Sequence, residues 1–491
     1  MFLLGVDLGT SSIKVSVVDS QTQKILAQAQ YPDTEADIIS AQTGWAEQDP
    51  DTWWQFTKRA IQKLNASGSY DPKEIKAIGI SYQMHGLVIV DKDQQPLRNS
   101  IIWCDSRAVE IGNKAYESLG SDYCLSCLLN SPGNFTASKL AWVKQNEPAT
   151  FDKIHTFMLP GDFLAMKFTG NVTATPSGLS EGIFWDFDDN AISSRLLEHY
   201  GFNRSLIPEV RDVFADHGQI RKELAAEFGF SPSTIVSYKA GDQLNNALSL
   251  NVFEPGEVAA TAGTSGVIYA VTDHLFKDRS SRVNSFAHVN HSVENLRLGV
   301  LLCINGVGIM NKWIRQIAGN DMSYAQLNQE ASAIAPGSEG LLVLPFGNGA
   351  ERMLENKLVN AHFSGIDFNR HTKAHMFRAV QEGIAFAFRY GLDIMRENSL
   401  NPSVIKAGKA NMFLSQVFLQ SFVNATGVPV ELYNNDGSVG AALGAGIGAK
   451  AYNKNSDAFS ELKPVASQEP QENEAYEEQY AKWKSLLQQH L

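Results

Sequence analysis

The sequence has few cysteines and no excess of basic residues. Four cysteines in 491 residues are too few for a disulfide scaffold, which favours a reducing, cytoplasmic environment. Cys124 and Cys127 form one C-x-x-C pair without a second pair or a neighbouring His, so packing is favoured over zinc or redox chemistry. The formal net charge of −12 argues against nucleic-acid or anionic membrane partners, because these are bound by basic surfaces.

Long apolar runs and common nucleotide motifs are also missing. The uncharged stretch 411–430 contains Ser, Gln, Asn, Gly and Pro, which is typical of a core helix and strand rather than a membrane span. Asp7 interrupts the first apolar run, and no basic residues precede it, so a signal peptide is not predicted. G-x-x-x-x-G-K-[ST] does not occur, which excludes a P-loop. The length predicts a globular protein of two or three domains.

What the sequence does contain is an alternation of strand and helix patterns. FLLGVDLG, SIKVSVVD and KILAQAQYP predict three consecutive strands joined by tight turns. DPDTWWQFTKRAIQKL has helical spacing and an acidic, proline-containing start. KAIGISYQM and HGLVIVD follow as further strands. This alternation predicts an α/β protein.

A second unit near Ala240 repeats the opening theme. Val258 to Thr272, VAATAGTSGVIYAVT, again places Gly-Thr-Ser between two strand-like runs, as VDLGTSSIKVSVV does at the start. Each Gly-Thr alone is explained by a hairpin turn. Two at corresponding places predict an internal duplication in which two turns face one another across a polyphosphate, because glycine-rich turns present backbone N–H groups to anions.

Two carboxylates stand at positions of chemical interest. A strand has no structural need for Asp7, although a turn residue that caps its own backbone is one explanation. Asp242 begins a segment in which Leu244, Ala247 and Leu248 have helical spacing, and helix capping alone would explain it. A carboxylate at a helix N-terminus is expected to keep its charge, so we expect Asp242 to act through proximity and not through a high pKa. The run GAALGAGIGA is typical of close helix packing rather than of a dinucleotide turn.

The motifs resemble those of one enzyme family. DLGTSSIK, AGTSG and AGKAN, in that order along the chain, resemble the sugar kinases of the FGGY family, within the actin-like ATPase superfamily. The resemblance runs from Met1 to about Ala449. Four stretches, GWAEQDPDTWW, SYQMHGLVIVD, IIWCDSR and AGDQLNNA, are most similar to the xylulokinases of that family. The resemblance implies an α/β fold of two actin-like (ribonuclease H-like) domains, residues 1–239 and 240–491, flanking a deep nucleotide and sugar cleft.

The resemblance also implies an activity and its residues. It implies transfer of the γ-phosphoryl group of ATP to D-xylulose, with Asp242 as general base and Asp7 binding Mg²⁺ directly or through water. The residues implied to bind the sugar are Met84, His85, Trp103, Asp105, Arg107 and Asp242. Those implied to bind the nucleotide are Gly9, Thr10, Ser11, Lys14, Gly263, Thr264, Ser265, Gly266, Gly408, Lys409 and Asn411. Pairing of Arg107 with Asp105 remains an equal alternative to sugar contact.

Several alternatives stay open at this point. Lys409 stands where the family usually has a glycine, which questions the nucleotide preference, and Met353-Leu354 replaces an expected Thr-Pro. L-ribulose, L-xylulose, gluconate and glycerol differ from D-xylulose only in configuration or length. A non-catalytic, actin-like nucleotide switch is a further alternative. Such a switch would need no sugar pocket, so Met84 and His85 favour the kinase. Homodimers are common among such enzymes, but no segment demands one.

Overall fold

The computed structural model of the protein describes residues 1–319, 322–471 and 474–491. Its strands are β1 (Phe2–Leu8), β2 (Ile13–Asp19), β3 (Ile25–Tyr31), β4 (Glu47–Gln48), β5 (Ile75–Tyr82), β6 (Val88–Val90), β7 (Ser100–Ile101), β8 (Thr156–Met158), β9 (Thr173–Ala174), β10 (Trp185–Asp186), β11 (Ala191–Ile192), β12 (Glu209–Val210), β13 (Gly218–Gln219), β14 (Ile235–Gly241), β15 (Val258–Ala262), β16 (Gly266–Thr272), β17 (Asn284–Ala287), β18 (Leu298–Ile304), β19 (Leu342–Phe346), β20 (Asn360–Ser364), β21 (Ile405–Gly408), β22 (Val430–Tyr433) and β23 (Ala466–Gln468).

The α-helices are α1 (Pro50–Asn65), α2 (Val109–Leu119), α3 (Ser121–Ser126), α4 (Thr136–Asn146), α5 (Pro148–Phe151), α6 (Pro160–Thr169), α7 (Pro176–Glu181), α8 (Ser194–Tyr200), α9 (Lys222–Phe228), α10 (Asp242–Ser249), α11 (Gly308–Ala318), α12 (Tyr324–Ser332), α13 (Lys373–Arg396), α14 (Gln416–Thr426), α15 (Gly437–Gly448) and α16 (Glu474–Gln488). In the described ranges, no helix is long and apolar enough to cross a membrane.

The N-terminal sheet has six strands in the order β13-β14-β5-β1-β2-β3. The first three strands of the chain are antiparallel neighbours, whereas β5 and β14 run parallel to β1. The predicted strands and the helix α1 are confirmed. Asp49 caps that helix by accepting a hydrogen bond from the backbone of Asp51, as its acidic start indicated.

The C-terminal sheet repeats this plan. Its order is β17-β18-β16-β15-β21-β22-β23, and β15, β16 and β18 are antiparallel neighbours, as are the first three strands of the chain. β21 and β22 then continue parallel to β15, matching β5 and β14. The shared strand order confirms the duplication predicted from the two Gly-Thr-Ser turns.

Along the chain, residues 242–257 connect the last long strand of the N-terminal sheet to the first strand of the C-terminal sheet. Ala240 and Gly241 belong to β14 and pair with β5 in the N-terminal sheet, while the C-terminal sheet starts at β15. The domain boundary at 239/240 stays a prediction. The helix α10 that follows β14 presents Leu244, Ala247 and Leu248 to the protein interior, as their spacing predicted.

One helix from the C-terminal half crosses to the N-terminal sheet. α15 packs on β1, β2, β5 and β14, and its small residues allow the backbones to approach closely. A Cβ atom on Gly5 would lie 1.7 Å from the carbonyl oxygen of Ser438, and one on Gly79 would lie 1.9 Å from that of Ala441. Close packing was the interpretation of the GAALGAGIGA run, and the structure confirms it.

Candidate active site

The two key carboxylates lie at the same edge of the N-terminal sheet. Asp7 pairs with Ser81 in β5, and Ser81 pairs with Ala240 in β14. Neighbouring strands are about 4.8 Å apart, and Asp242 follows Ala240 by two residues. Only β5 lies between β1, which carries Asp7, and β14, which leads into Asp242. The negative charge of Asp7 therefore acts on Asp242. The carboxyl ends of parallel strands are where α/β sheets bind ligands.

Helix capping does not explain Asp242. The N-cap of α10 is Gly241, and Asp242 is the first helical residue. Burial, and next the charge of Asp7, raise the pKa of the Asp242 carboxyl to about 7. Our expectation that its pKa would stay low was wrong, because the loss of solvent and the neighbouring charge outweigh the helix terminus. Such a group is matched to accepting a proton at neutral pH.

Asp7 is the penultimate residue of β1, and its carboxyl group is buried near a second acid, Asp436. Burial raises the pKa of its carboxyl above the usual range, and the charge of Asp436 adds to the rise. A Cβ atom on Gly437 would lie 2.4 Å from Oδ2 of Asp7, so a glycine is required there. In the described residues, no three His, Cys, Asp or Glu side chains form a metal cage. One carboxylate completed by water and phosphate oxygens is the donor set that Mg²⁺ prefers, so Asp7 fits it.

Met84 and His85 form the turn after β5, on the same sheet edge. His85 has a φ of 62°, and its Nδ1 lies 3.0 Å from the carbonyl oxygen of Glu181. Burial, the charge of Lys139 and that of Arg352 lower the pKa of His85 to about 3. The imidazole is therefore neutral, with one ring nitrogen available to a hydroxyl group.

Lys139 holds this turn in place. Its Nζ donates hydrogen bonds to the carbonyl oxygens of His85, at 2.8 Å, and Ile102, at 3.0 Å. The side chain is fully buried. It thus ties the His85 turn to the segment that carries Trp103. Sequence reasoning missed this lysine, because both of its partners are backbone atoms distant along the chain.

Trp103 connects the predicted sugar and phosphate residues. Its side chain is 53% exposed, and its Nε1 donates to Oγ1 of Thr10 at 3.0 Å. Thr10 in turn lies 3.3 Å from Oε1 of Gln83, next to Met84. The structure therefore brings together two loops that the sequence treated separately.

Asp105 and Arg107 form the structural pair that the sequence left as one of two alternatives. The Asp105 carboxylate is fully buried; it accepts from the Arg107 guanidinium at 2.7 to 3.0 Å and from the backbone N–H of Ala46 at 2.6 Å. The guanidinium stacks 3.8 Å from the ring centre of Trp45 and also pairs with Glu47. Their contact with a sugar stays a prediction.

The first Gly-Thr-Ser turn joins β1 to β2 directly after Asp7. Gly9 donates to the carbonyl oxygens of Asp7 and Ser12, Ser11 is exposed, and Lys14 is exposed on the strand opposite Asp7. The exposed Ser11 and the Lys14 charge therefore both lie near Asp7, in the turn after it and on the strand paired with it.

The second turn lines a cavity of about 430 Å³ in the C-terminal half. Gly263 and Thr264 lie on one wall, and their carbonyl oxygens accept hydrogen bonds from the start of α11. Asn411 lies on another wall, with Met412 and Leu414 beside it. Ser265 and Gly266 continue into β16, outside this lining, and Ser265 hydrogen-bonds toward Cys303.

Gly408 and Lys409 lead from β21 to Asn411. A Cβ atom on Gly408 would lie 2.3 Å from Oδ1 of Asn435, which explains the glycine. Lys409 is exposed, and its backbone donates to the carbonyl oxygen of Tyr433 at 2.8 Å. Sequence reasoning missed four further polar lining residues on α11 and α12: Asn311, Lys312, Tyr324 and Asn328. Helical spacing alone carries no signal for them.

Two duplicated ribonuclease H-like sheets, each with a Gly-Thr-Ser turn between its first two strands, define an actin-like α/β protein. The family model of the FGGY carbohydrate kinase N-terminal domain matches residues 2–249, and that of the C-terminal domain matches residues 258–449. The chain therefore belongs to the FGGY family of carbohydrate kinases and is a sugar kinase.

Individual relatives agree with this family. The chain is 29% identical over 455 residues to the xylulose kinase of Bacillus subtilis, covering 91% of this chain and 88% of the relative. A crystal structure from Brucella ovis, named a xyloylose kinase, has a TM-score of 0.91 and 26% identity, covering 99% and 98% of the two chains. The gluconate kinase structure from Lactobacillus acidophilus, at 21% identity, has a TM-score of 0.87, covers 100% and 96%, and shows the same fold.

Proposed function

We propose that the protein transfers the γ-phosphoryl group of ATP to a ketopentose, D-xylulose, giving D-xylulose 5-phosphate and ADP. The observation that carries this proposal is the placement of Asp7 and Asp242 at one sheet edge, with Met84 and His85 beside them. The relatives named xylulose kinase support the choice of sugar. The shared fold of the gluconate kinase makes the sugar the point that most needs a direct test.

Asp242 is the general base of this reaction. As the sugar hydroxyl oxygen attacks the γ-phosphorus, the carboxylate accepts the hydroxyl proton, and the bond from phosphorus to the oxygen of ADP breaks. A pKa of about 7 makes Asp242 a stronger proton acceptor than an ordinary carboxylate while a large fraction stays ionised at neutral pH. The transition state of phosphoryl transfer is loose, so the protein mainly positions the groups and balances charge.

Asp7 and the two turns hold the other substrate. Asp7 would bind Mg²⁺, which would supply charge neutralisation at the phosphates. The amide of Gly263, with the hydroxyls of Thr10 and Thr264, would face the phosphate chain from opposite domains. The N–H of Gly9 donates within its own turn, so Gly9 would shape that turn rather than bind a phosphate. The 430 Å³ cavity would take the nucleoside, with Asn411 donating to it and Met412 and Leu414 forming an apolar wall.

On the sugar side, three residues would contact the acceptor. Met84 offers an adaptable apolar wall, the neutral His85 ring exchanges hydrogen bonds with hydroxyls, and the exposed Trp103 ring packs on the carbon skeleton. The Asp105–Arg107 pair, which Trp45 and Glu47 hold in place, would fix the segment that carries Trp103.

A panel of acceptors tests the proposal. ADP release is measured with ATP and Mg²⁺ in the presence of D-xylulose, L-xylulose, L-ribulose, gluconate or glycerol. We expect the highest kcat/KM with D-xylulose, and a loss of about 10² to 10⁴ in kcat for Asp242→Asn with both substrates still bound. A higher kcat/KM with another acceptor would reject D-xylulose, and full activity of Asp242→Asn would reject the general base. The cytoplasmic location and a homodimer stay predictions.

A further inference from the structure

Glu181, the last residue of α7, is a buried acid with no part in the mechanism above. Its side chain is fully buried. Its Oε1 accepts a hydrogen bond from the backbone N–H of His85 at 3.4 Å, and its carbonyl oxygen lies 3.0 Å from Nδ1 of the same histidine. Oε2 has no hydrogen-bond partner among the residues that the structure describes. A buried oxygen without a partner is costly, so this one calls for an explanation.

The position of Oε2 indicates what it faces. A Cβ atom on Gly241 would lie 2.6 Å from Oε2 and 2.6 Å from Cγ of Met84. Oε2 is therefore packed between Met84 and the residue that precedes Asp242. Met84 belongs to the proposed sugar site and Gly241 directly precedes Asp242, so the unpartnered oxygen lies beside the residues proposed to meet the sugar.

The charged and titratable groups around Glu181 favour its neutral form. Burial raises the pKa of its carboxyl well above the usual range, and the charges of Asp242 and Asp162 raise it further. Hydrogen bonds from the backbone N–H of His85 and from the Tyr82 side chain act in the opposite direction and lower this pKa, but burial is the largest cause. Tyr269 also faces the carboxyl group. Lys139 is the nearby cation, but its ammonium hydrogen bonds go to two backbone carbonyl oxygens. A neutral carboxyl group has one O–H donor and one acceptor oxygen.

We propose that Glu181 is an additional sugar-binding residue: a neutral carboxylic acid that holds the His85 turn through Oε1 and donates a hydrogen bond from Oε2 to an oxygen of the acceptor sugar. This inference rests on the sugar kinase activity proposed above. It assigns one group two tasks, since the same carboxyl fixes the position of His85 and meets the ligand. It also explains why a carboxyl group, and not an apolar side chain, fills this space beneath Gly241.

Two substitutions separate these roles from simple packing. Glu181→Gln keeps an acceptor for the His85 N–H and a donor in place of the O–H, so we expect KM for D-xylulose within about threefold of the wild type. Glu181→Met keeps the volume but has no donor, so we expect KM to rise at least about tenfold with a smaller change in kcat. Ser177→Ala is the matched control, because Ser177 is buried one turn earlier on α7 and should leave both constants unchanged.

The pH profile provides a readout that packing would not move. If Glu181 is neutral, the acid limb of kcat/KM lies at the same pH in Glu181→Gln as in the wild type. A limb at lower pH would show that the glutamate is ionised and would overturn the proposal, as would a wild-type KM in Glu181→Met. If the methionine variant does not fold, the glutamine variant and its pH profile decide. Failure of the proposed function is seen separately, as a wild-type protein inactive with every acceptor.

Discussion

The two Gly-Thr-Ser hairpins have the same strand pairing but differ in charge. β1 pairs with β2 up to Leu8 and Ile13, and β15 pairs with β16 up to Ala262 and Gly266. When the two turns are aligned on Gly-Thr, Asp7 corresponds to Thr261. The duplicated fold therefore supplies two Gly-Thr-Ser turns, and of these two only the N-terminal one is preceded by a carboxylate. The repeat therefore determines the path of the backbone, whereas single residues such as Asp7 and Thr261 determine which chemical groups each half presents.

The largest expected effect comes from exchanging the residues that differ. Asp7→Asn removes the carboxylate proposed to bind Mg²⁺, so we expect kcat to fall at least about a hundredfold, with a higher Mg²⁺ requirement. Thr261→Val, at the corresponding position, should change kcat by no more than about threefold because no charge is lost. Mg²⁺ titrations of ADP release compare the two. Equal losses in both variants would contradict the division of chemistry.

The second largest expected effect is on stability, and it depends on how closely a helix packs on each sheet. Gly5 corresponds to Ala259 in the repeat, and only Gly5 lies against the backbone of α15. Gly5→Ala would place a Cβ 1.7 Å from a carbonyl oxygen, so we expect unfolding free energy to fall by about 1–3 kcal/mol or more. Ala259→Gly should lower the unfolding free energy by about 1 kcal/mol or less. Urea unfolding midpoints measure both, and a stable Gly5→Ala would place α15 farther from the sheet.

A smaller expected effect is on how the unfolding free energy of the ligand-free protein depends on pH, through Asp242 and the charge of Asp7. The folded pKa of Asp242, about 7, is raised from 3.8, so its contribution to stability is full below pH 3.8 and is lost as pH rises to about 7. We expect Asp242→Asn to flatten this decline. Asp7→Asn should move it to lower pH, because the Asp7 charge is part of the cause.

Urea unfolding at a series of pH values measures this decline. Glu254→Gln, a change at an exposed glutamate on the surface, serves as the control and should leave the profile as in the wild type. A decline that is unchanged in Asp242→Asn would assign it to another group.

The smallest expected effect is at Lys409. Its side chain is exposed and only its backbone is engaged, by Tyr433, so we expect Lys409→Gly to change KM for ATP by no more than about threefold. A change of tenfold or more, or a switch of preference between ATP and GTP, would show that this side chain reaches the nucleotide. Initial rates with both nucleotides at fixed sugar measure it.

The sequence predicted most of what depends on neighbouring residues. Alternating apolar positions predicted β1, β2 and β5, the acidic start predicted α1, and the repeated turn predicted the duplicated sheets. Motif resemblance predicted the family and the convergence of Asp7 and Asp242 on one cleft. These features need only local periodicity or a short pattern, and both are written in consecutive residues.

Only the tertiary structure decided the pKa values of the buried acids and the hydrogen-bond partners of the buried side chains. The high pKa of Asp242 requires burial and the charge of Asp7, which lies more than two hundred positions earlier. The hydrogen bonds of Lys139 to two loops and the position of Glu181 beneath Gly241 depend on contacts between segments that lie far apart along the chain, which no local pattern records. Desolvation and Coulomb interactions act through space, so residue order determined which groups exist here, and the packing of the fold determined what those groups can do.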